Sequence, residues 1–331
     1  MNTTQTTPRE SQHSVWYTYR NFVLAMAVLG LLLTVFAFLR PMELVGSAVR
    51  LRLLISGMHS RYVTIGGEQI HYYVGGPTGA APVLLVHGLG AKSEDWAVLM
   101  PQLLRAGYHV YAIDLLGYGQ SAKPRNASYS IAQEAGIVEE FIASQNLSNI
   151  NLAGWSMGGW VATRVALDKP AVVRRLVLYD SAGIVFYVPF GPEVFLPHTP
   201  EEVAKLENLL LPSRGPAMPS FVVRDFLRRQ RQVGWVIKRS VDSMLAGHDI
   251  LDGKLGALKM PVLIVWGKQD RLIPLSVGFD LHAQIPQSVL EVYDGCGHLA
   301  PAQCVDRVAP RTISFLKAEP PMAPQVVNVA R

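Results

Sequence analysis

The chain has 331 residues, half of them apolar and 17% charged, with a formal net charge of +5. That length fits one large α/β domain with accessories, or two small ones, and the composition excludes both a disordered chain and a polytopic membrane protein. So mild a charge lacks the concentrated basic surface of a nucleic-acid binder, and two cysteines, Cys296 and Cys304, are too few for a disulfide scaffold.

Residues 1–20 are polar and read as disordered. Phe22 to Leu39 then forms a run of 18 residues without a charge, bracketed by Arg20 and Arg40. A run of that length reads as a transmembrane helix over residues 21–40. A cleaved signal peptide would have a shorter apolar region and a closer cleavage site than Gly46-Ser47-Ala48. Arg9 and Arg20 precede the span, whereas Arg40, Arg50 and Arg52 follow it. The positive-inside rule thus leans by one arginine towards a cytoplasmic catalytic domain and leaves the side open. In the juxtamembrane segment, residues 41–60, Leu, Val and Ile alternate with Arg. This suits a helix in the headgroup layer or a linker helix packed on the domain equally well.

From residue 61 the pattern changes. Tyr62–Ile65 and Gln69–Val74 flank Gly66-Gly67 and predict a hairpin. Six short apolar runs follow: Val83–Val86, Val110–Ile113, Ile150–Ala153, Leu176–Tyr179, Val262–Trp266 and Val289–Tyr293. Such runs suit parallel strands covered on both faces. Helical stretches lie between them, at 131–142, 156–167 and about 302–316. The alternation predicts a doubly wound, mostly parallel α/β sheet over residues 61–182 and 250–318. It breaks over residues 183–249, which hold seven prolines and helical pieces near 200–211 and 219–246, and reads as an inserted helical cap. The Pro-rich tail 319–331 reads as disordered.

The strongest motif is Gly154-Trp155-Ser156-Met157-Gly158-Gly159, between an apolar strand and a helix. That is the context of a G-x-S-x-G nucleophile elbow, in which glycines allow a tight turn and the serine Oγ stands exposed at a helix N-terminus. A serine needs a base, and the base an orienting acid. Asp270, in WGKQD, and His298, in DGCGH, follow the last two core strands in the order such an elbow requires. Asp180, at the end of the run Leu176–Tyr179, is the rival acid; chain order and loop position favour Asp270. The tetrahedral intermediate needs two N–H donors, assigned to Met157 and to Leu89 in the loop His87-Gly88-Leu89-Gly90. His87 lies upstream of the serine and reads as a residue that shapes this loop.

At these residues the chain resembles the α/β-hydrolase superfamily. The resemblance rests on HGLG (87–90), DLLGYGQSAKP (114–124), GWSMGG (154–159), YDSAG (179–183), VWGKQD (265–270) and GCGH (295–298). It covers about residues 61–318 apart from the cap, and looks most like bacterial family V lipases and membrane-anchored monoacylglycerol lipases. It implies the α/β-hydrolase fold, with Ser156 as nucleophile, Asp270 as acid, His298 as base, and Leu89 with Met157 as oxyanion hole. Leu89 departs from the pattern, since these lipases often have Phe there. The backbone donor survives that change, but the wall of the acyl pocket need not be the same.

Ser at the elbow argues against the dehalogenases and epoxide hydrolases of this fold, whose pattern places Asp there. No metal or cofactor motif is present, so acyl transfer to water is the expected chemistry. The anchor favours lipid esters, as do the cap aromatics Phe186, Tyr187, Phe190, Phe195, Phe221, Phe226 and Trp235 as the lining of an acyl tunnel. A basic stretch, Arg224, Arg228, Arg229, Arg231, Lys238 and Arg239, fits a solvated helix face or contact with anionic headgroups. A carbon–carbon bond hydrolase with a similar elbow and a non-catalytic binding protein are the competing readings. Oligomeric state is not legible.

Overall fold

A computed structural model describes residues 9–213, 215 and 217–330. Residues 1–8, the first part of the stretch expected to be disordered, lie outside the described residues. The first described element is helix α1 (Arg9–Leu39), so residues 9–20 are helical where disorder was expected, and Arg40 alone separates it from α2 (Pro41–Ile55). Within α1, Trp16–Leu39 is long and apolar enough to cross a membrane, and no residue of its most apolar 18-residue window is buried. Helix α2 packs on the domain, as one reading of its sequence expected, and keeps an exposed apolar side. Leu53 is fully buried against the domain, while Leu44, Leu51, Leu54 and Ile55 point outwards.

The domain behind α2 begins at β1 (Met58–Ile65), three residues earlier than expected. It pairs antiparallel with β2 (Glu68–Gly75) through the Gly66-Gly67 turn. Both turn glycines have positive φ, the conformation of a two-residue hairpin loop. The remaining core strands are β3 (Pro82–Val86), β4 (His109–Ile113), β5 (Ile150–Trp155), β6 (Val173–Tyr179), β7 (Val262–Gly267) and β8 (Ser288–Tyr293). With β9 (Gln325–Val329), the described residues form one nine-stranded sheet in the order β1-β2-β4-β3-β5-β6-β7-β8-β9. From β4 onwards every neighbouring pair is parallel. Every residue of β7 and β8 is buried, which is why β7 reads as an unbroken apolar run and β8 as one interrupted only by Glu291 after Ser288.

Helices cover both faces: α3 (Met100–Arg105), α4 (Ile131–Ser144), α5 (Met157–Asp168), α8 (Leu275–Gln284), α9 (Ala300–Gln303) and α10 (Val305–Lys317). The core is accordingly divided by the sheet. Val86, Leu152 and Ile264 belong to one layer, and Leu85, Ala153 and Val265 to the other. Between β6 and β7 the chain leaves the sheet to form α6 (Pro200–Leu210) and the long α7 (Ser220–Leu245). Thr199 starts α6 with a capping box, its hydroxyl accepting from the Glu202 N–H at 3.2 Å.

The tail departs from its expected disorder. β8 would otherwise be an open edge with unpaired backbone groups, and the five residues QVVNV add β9 to it in parallel. Arg175, itself buried, fixes the approach to this strand by donating to the Leu316 carbonyl at 2.7 Å. Cys296 and Cys304, unassigned from the sequence, are joined by a disulfide with Cα atoms 6.3 Å apart.

Candidate active site

Ser156 stands between the end of β5 and the first turn of α5, with φ 56° and ψ −121°. A non-glycine residue in such a conformation costs on the order of 1–3 kcal/mol and persists only where its surroundings over-determine it. Here the backbone is tied on both sides. The Ser156 N–H donates to the Tyr179 carbonyl at 2.9 Å, and its own carbonyl accepts from Gly159, Trp160 and Ala182. The glycines are required by contact. A Cβ on Gly154 would strike the Gly158 carbonyl, one on Gly158 the Val86 and His87 carbonyls, and one on Gly159 the Ser181 side chain.

Beyond β7, the turn that carries Asp270 folds back so that Oδ1 accepts the Leu272 and Ile273 N–H groups at 2.8 and 3.0 Å. Oδ2 is left for His298, whose Nδ1 lies 2.7 Å away. Both side chains are buried. His298 is pinned through its backbone as well. Its carbonyl accepts from Trp155 Nε1 at 2.7 Å, and its N–H donates to the Leu210 carbonyl at the end of α6. Asp180 lies beneath this pair and does not reach His298. Its Oδ1 accepts from Gly267 N–H at 2.7 Å and its Oδ2 from Ala300 N–H at 3.3 Å. Full burial, and then the Asp270 charge, push its carboxyl well above the usual range.

The loop after β3 passes directly over the serine, so close that a Cβ on Gly88 would lie 3.1 Å from Ser156 Cβ. His87 sets the path of this loop. Its Nδ1 lies 2.8 Å from the Gly88 carbonyl and its Nε2 accepts the Leu115 N–H at 3.0 Å, which fixes the tautomer with the proton on Nδ1. Burial pushes the imidazole below its usual pKa. Because C=O and N–H point opposite ways across a trans peptide, turning the Gly88 carbonyl towards His87 turns the Leu89 N–H away from it. Among the described residues, neither Leu89 N–H nor Met157 N–H donates a hydrogen bond. Met157 N–H is also the first of the four unpaired donors of α5.

Two cavities meet at Ser156. One, of about 390 Å³, also reaches His298, Trp155, Leu89 and the cap residues Phe226 and Gln230. The other, of about 380 Å³, is strongly apolar and runs between Trp160 and the cap, past Phe186, Phe190, Val241 and Met244. Phe195 lines both. Among the described residues no group of three His, Cys, Asp or Glu side chains is placed to hold a metal ion.

The predicted site residues therefore converge, but the cap residues divide. Tyr187 is 84% exposed, Phe221 packs on Phe38 of α1 at 5.1 Å, and Trp235 lies beneath the Arg125 guanidinium at 4.1 Å. None of the three lines the cavities at the serine. Sequence reasoning missed Trp155, since a side chain bonding a carbonyl 143 positions away leaves no local pattern. It also assigned no role to the 114–124 motif. Asp114 opens that segment, and Leu115 next to it supplies the N–H that holds His87. Burial raises the Asp114 carboxyl, but the hydrogen bond from His71 and the nearby histidines outweigh it and bring the pKa to about 2.

The model of the alpha/beta hydrolase family matches residues 83–311. Lipase 1 of Psychrobacter immobilis is 28% identical over 271 residues, covering 75% of this chain and 81% of that protein. A 2-hydroxy-6-oxononadienedioate/2-hydroxy-6-oxononatrienedioate hydrolase of Cupriavidus pinatubonensis is 29% identical over 274 residues, covering 73% and 89%. Among solved structures, that of a membrane phospholipase A described as a bacterial virulence factor superposes with a TM-score of 0.77 at 25% identity. It covers 90% of this chain and 98% of that one. With the sheet order, the elbow and a family match spanning most of its core, this chain belongs to the alpha/beta hydrolase family.

Proposed function

We propose that the protein is a membrane-anchored serine carboxylester hydrolase acting on lipid esters of the acylglycerol type. The observation that carries this reading is the Asp270–His298 pair, which opens on the same cavity as Ser156 at its strained turn. In the proposed cycle, Ser156 Oγ attacks the ester carbonyl while His298 Nε2 takes its proton. Asp270 holds the imidazole in the correct tautomer and stabilises the imidazolium. The oxyanion forms against the Leu89 and Met157 N–H groups. As the C–O bond breaks, His298 returns the proton to the departing alcohol. Water then adds to the acyl-enzyme, giving its proton to His298, and collapse releases the carboxylic acid and regenerates Ser156.

The apolar cavity beside the serine suits an acyl chain, and the exposed apolar surface of α1 suits a bilayer. Likeness to a lipase and to a membrane phospholipase supports the same substrate class. Hydrolysis of a p-nitrophenyl ester series from acetyl to palmitoyl, beside a monoacylglycerol, tests the reading. Turnover of medium or long esters that disappears in Ser156→Ala is expected, and failure to cleave any ester in detergent or liposomes would overturn it. The second reading, a carbon–carbon bond hydrolase, draws on the Cupriavidus relative; it predicts turnover of a vinylogous diketone acid and none of esters.

A further inference from the structure

Helix α7 presents two working sides. Phe226, Gln230 and Ile237 line the cavity that holds Ser156 and His298. On another side, Arg224, Arg228 and Arg231 recur at i, i+4 and i+7, a spacing that places three guanidiniums along one stripe. That stripe faces the end of α1, whose Phe38 packs on Phe221 at a tilt. Together with Arg40, the first residue after α1, the three arginines rim a groove of about 540 Å³, with Val35, Phe36 and Leu39 as its apolar wall.

The charge in this groove is not balanced. Its one acidic residue, Asp225, is already engaged. Oδ1 accepts from Arg228 at 2.7 and 2.9 Å, and Oδ2 accepts the Met42 N–H at 3.1 Å. Arg40, Arg224 and Arg231 are exposed, and among the described residues none has an acidic partner. By contrast, Lys238 pairs with Asp242, and Arg239 donates to the Arg125 and Ala127 carbonyls. The solvated-face reading thus fits the second half of the basic stretch and not the first. A soluble anion has no use for the apolar wall, and a neutral apolar ligand has none for three unpaired arginines. A molecule with a phosphate and an acyl chain uses both.

We propose that the groove between α1 and α7 binds an anionic phospholipid, its phosphate held by Arg40, Arg224 and Arg231 and an acyl chain lying along α1. The proposal rests on the reading of α1 as a membrane anchor. Because α7 also lines the catalytic cavity, a lipid bound here seats that cavity against the bilayer surface.

The test uses the full chain in liposomes of phosphatidylcholine alone or mixed with phosphatidylglycerol. Lipid retained after transfer to mild detergent is then quantified by mass spectrometry. Enrichment of phosphatidylglycerol is expected, falling about tenfold or more in Arg224→Ala/Arg231→Ala, since each arginine near an anionic surface contributes roughly fivefold. Arg40→Ala, on a different element, should lower it too and serves if the double variant does not fold. Equal retention of the two lipids, or an equal loss in the control pair Arg61→Ala/Lys169→Ala, overturns the site while leaving the anchor standing. A chain that floats with neither liposome overturns the anchor reading, and the site with it.

Discussion

Asp180 and Asp270 are neighbouring buried carboxyls, and only Asp270 meets the Nδ1 of His298, at 2.7 Å. Two backbone amides at 272 and 273 aim the Asp270 carboxylate, while Asp180 spends its oxygens on Gly267 and Ala300. Asp270→Asn should lower kcat on a p-nitrophenyl ester by on the order of 10³–10⁴, through the wrong imidazole tautomer. Asp180→Asn should keep kcat within about tenfold, because its contacts are structural. Equal losses in both would contradict the assignment.

His87 holds the peptide that carries the proposed oxyanion donor, Leu89 N–H, from behind. His87→Ala leaves the Leu115 N–H buried without its acceptor, which costs about 1–3 kcal/mol of stability by urea unfolding. It also frees the Gly88–Leu89 peptide, so kcat should fall by about tenfold or more with KM little changed. The pH–rate profile should keep its shape, since both ring nitrogens of His87 are engaged by the Gly88 carbonyl and the Leu115 N–H and burial lowers its pKa. A displaced profile would make His87 a proton carrier instead.

Under the proposed ester hydrolysis, the apolar cavity is expected to set acyl length. Met244 lines it among Trp160, Val241 and Leu245. Met244→Trp should leave acetyl ester turnover within about twofold while reducing activity on palmitoyl esters by about tenfold or more, since overfilling a packed pocket excludes the longer chain. Uniform loss across the series would place the acyl chain elsewhere.

Glu134 gives the fold a pH dependence. It is fully buried in α4, with Oε2 accepting the Leu116 N–H at 3.0 Å and Oε1 unpartnered. Burial pushes its carboxyl well above the usual range. The unfolded chain ionises this group near pH 4, about where free Glu titrates, whereas the folded chain keeps the proton to higher pH. The folded state therefore binds more protons in that interval, and stability falls as pH rises through it. Urea unfolding should show Glu134→Gln losing less stability than the wild type between pH 5 and pH 8. A residual slope from Asp180 should remain, as the same sign applies there.

The candidate site was legible because each of its members sits at the end of a short apolar strand, where alternation and chain order identify it. Ser156, Asp270 and His298 follow β5, β7 and β8 in that way. What was not legible depends on contacts distant in sequence. The tail's strand exists because β8 offers an unpaired edge, a fact absent from the Pro-rich segment itself. Trp235 reads as a pocket aromatic until Arg125 and Arg239 are seen stacked on it. Whether a cap aromatic faces the serine depends on the turn of α7 over the sheet, and composition carries no such angle.

The bond between Cys296 and Cys304 bears on which side of the membrane the domain occupies. Disulfides are rare in reducing cytosol and persist in secreted, periplasmic and surface proteins. The bond therefore predicts an oxidising compartment, against the lean of one arginine in the flanks of α1. Maleimide labelling of denatured protein taken from its native membrane should find both sulfurs blocked until a reductant is added. Two labelled thiols would return the domain to the cytosol. His298 lies two residues beyond Cys296, inside the covalent loop, and Arg307 donates to both sulfurs from outside it. Were the domain exported, a base fastened in this way would reach its finished geometry only after oxidation, and a chain still in transit through the cytosol would carry an incompletely braced loop around His298.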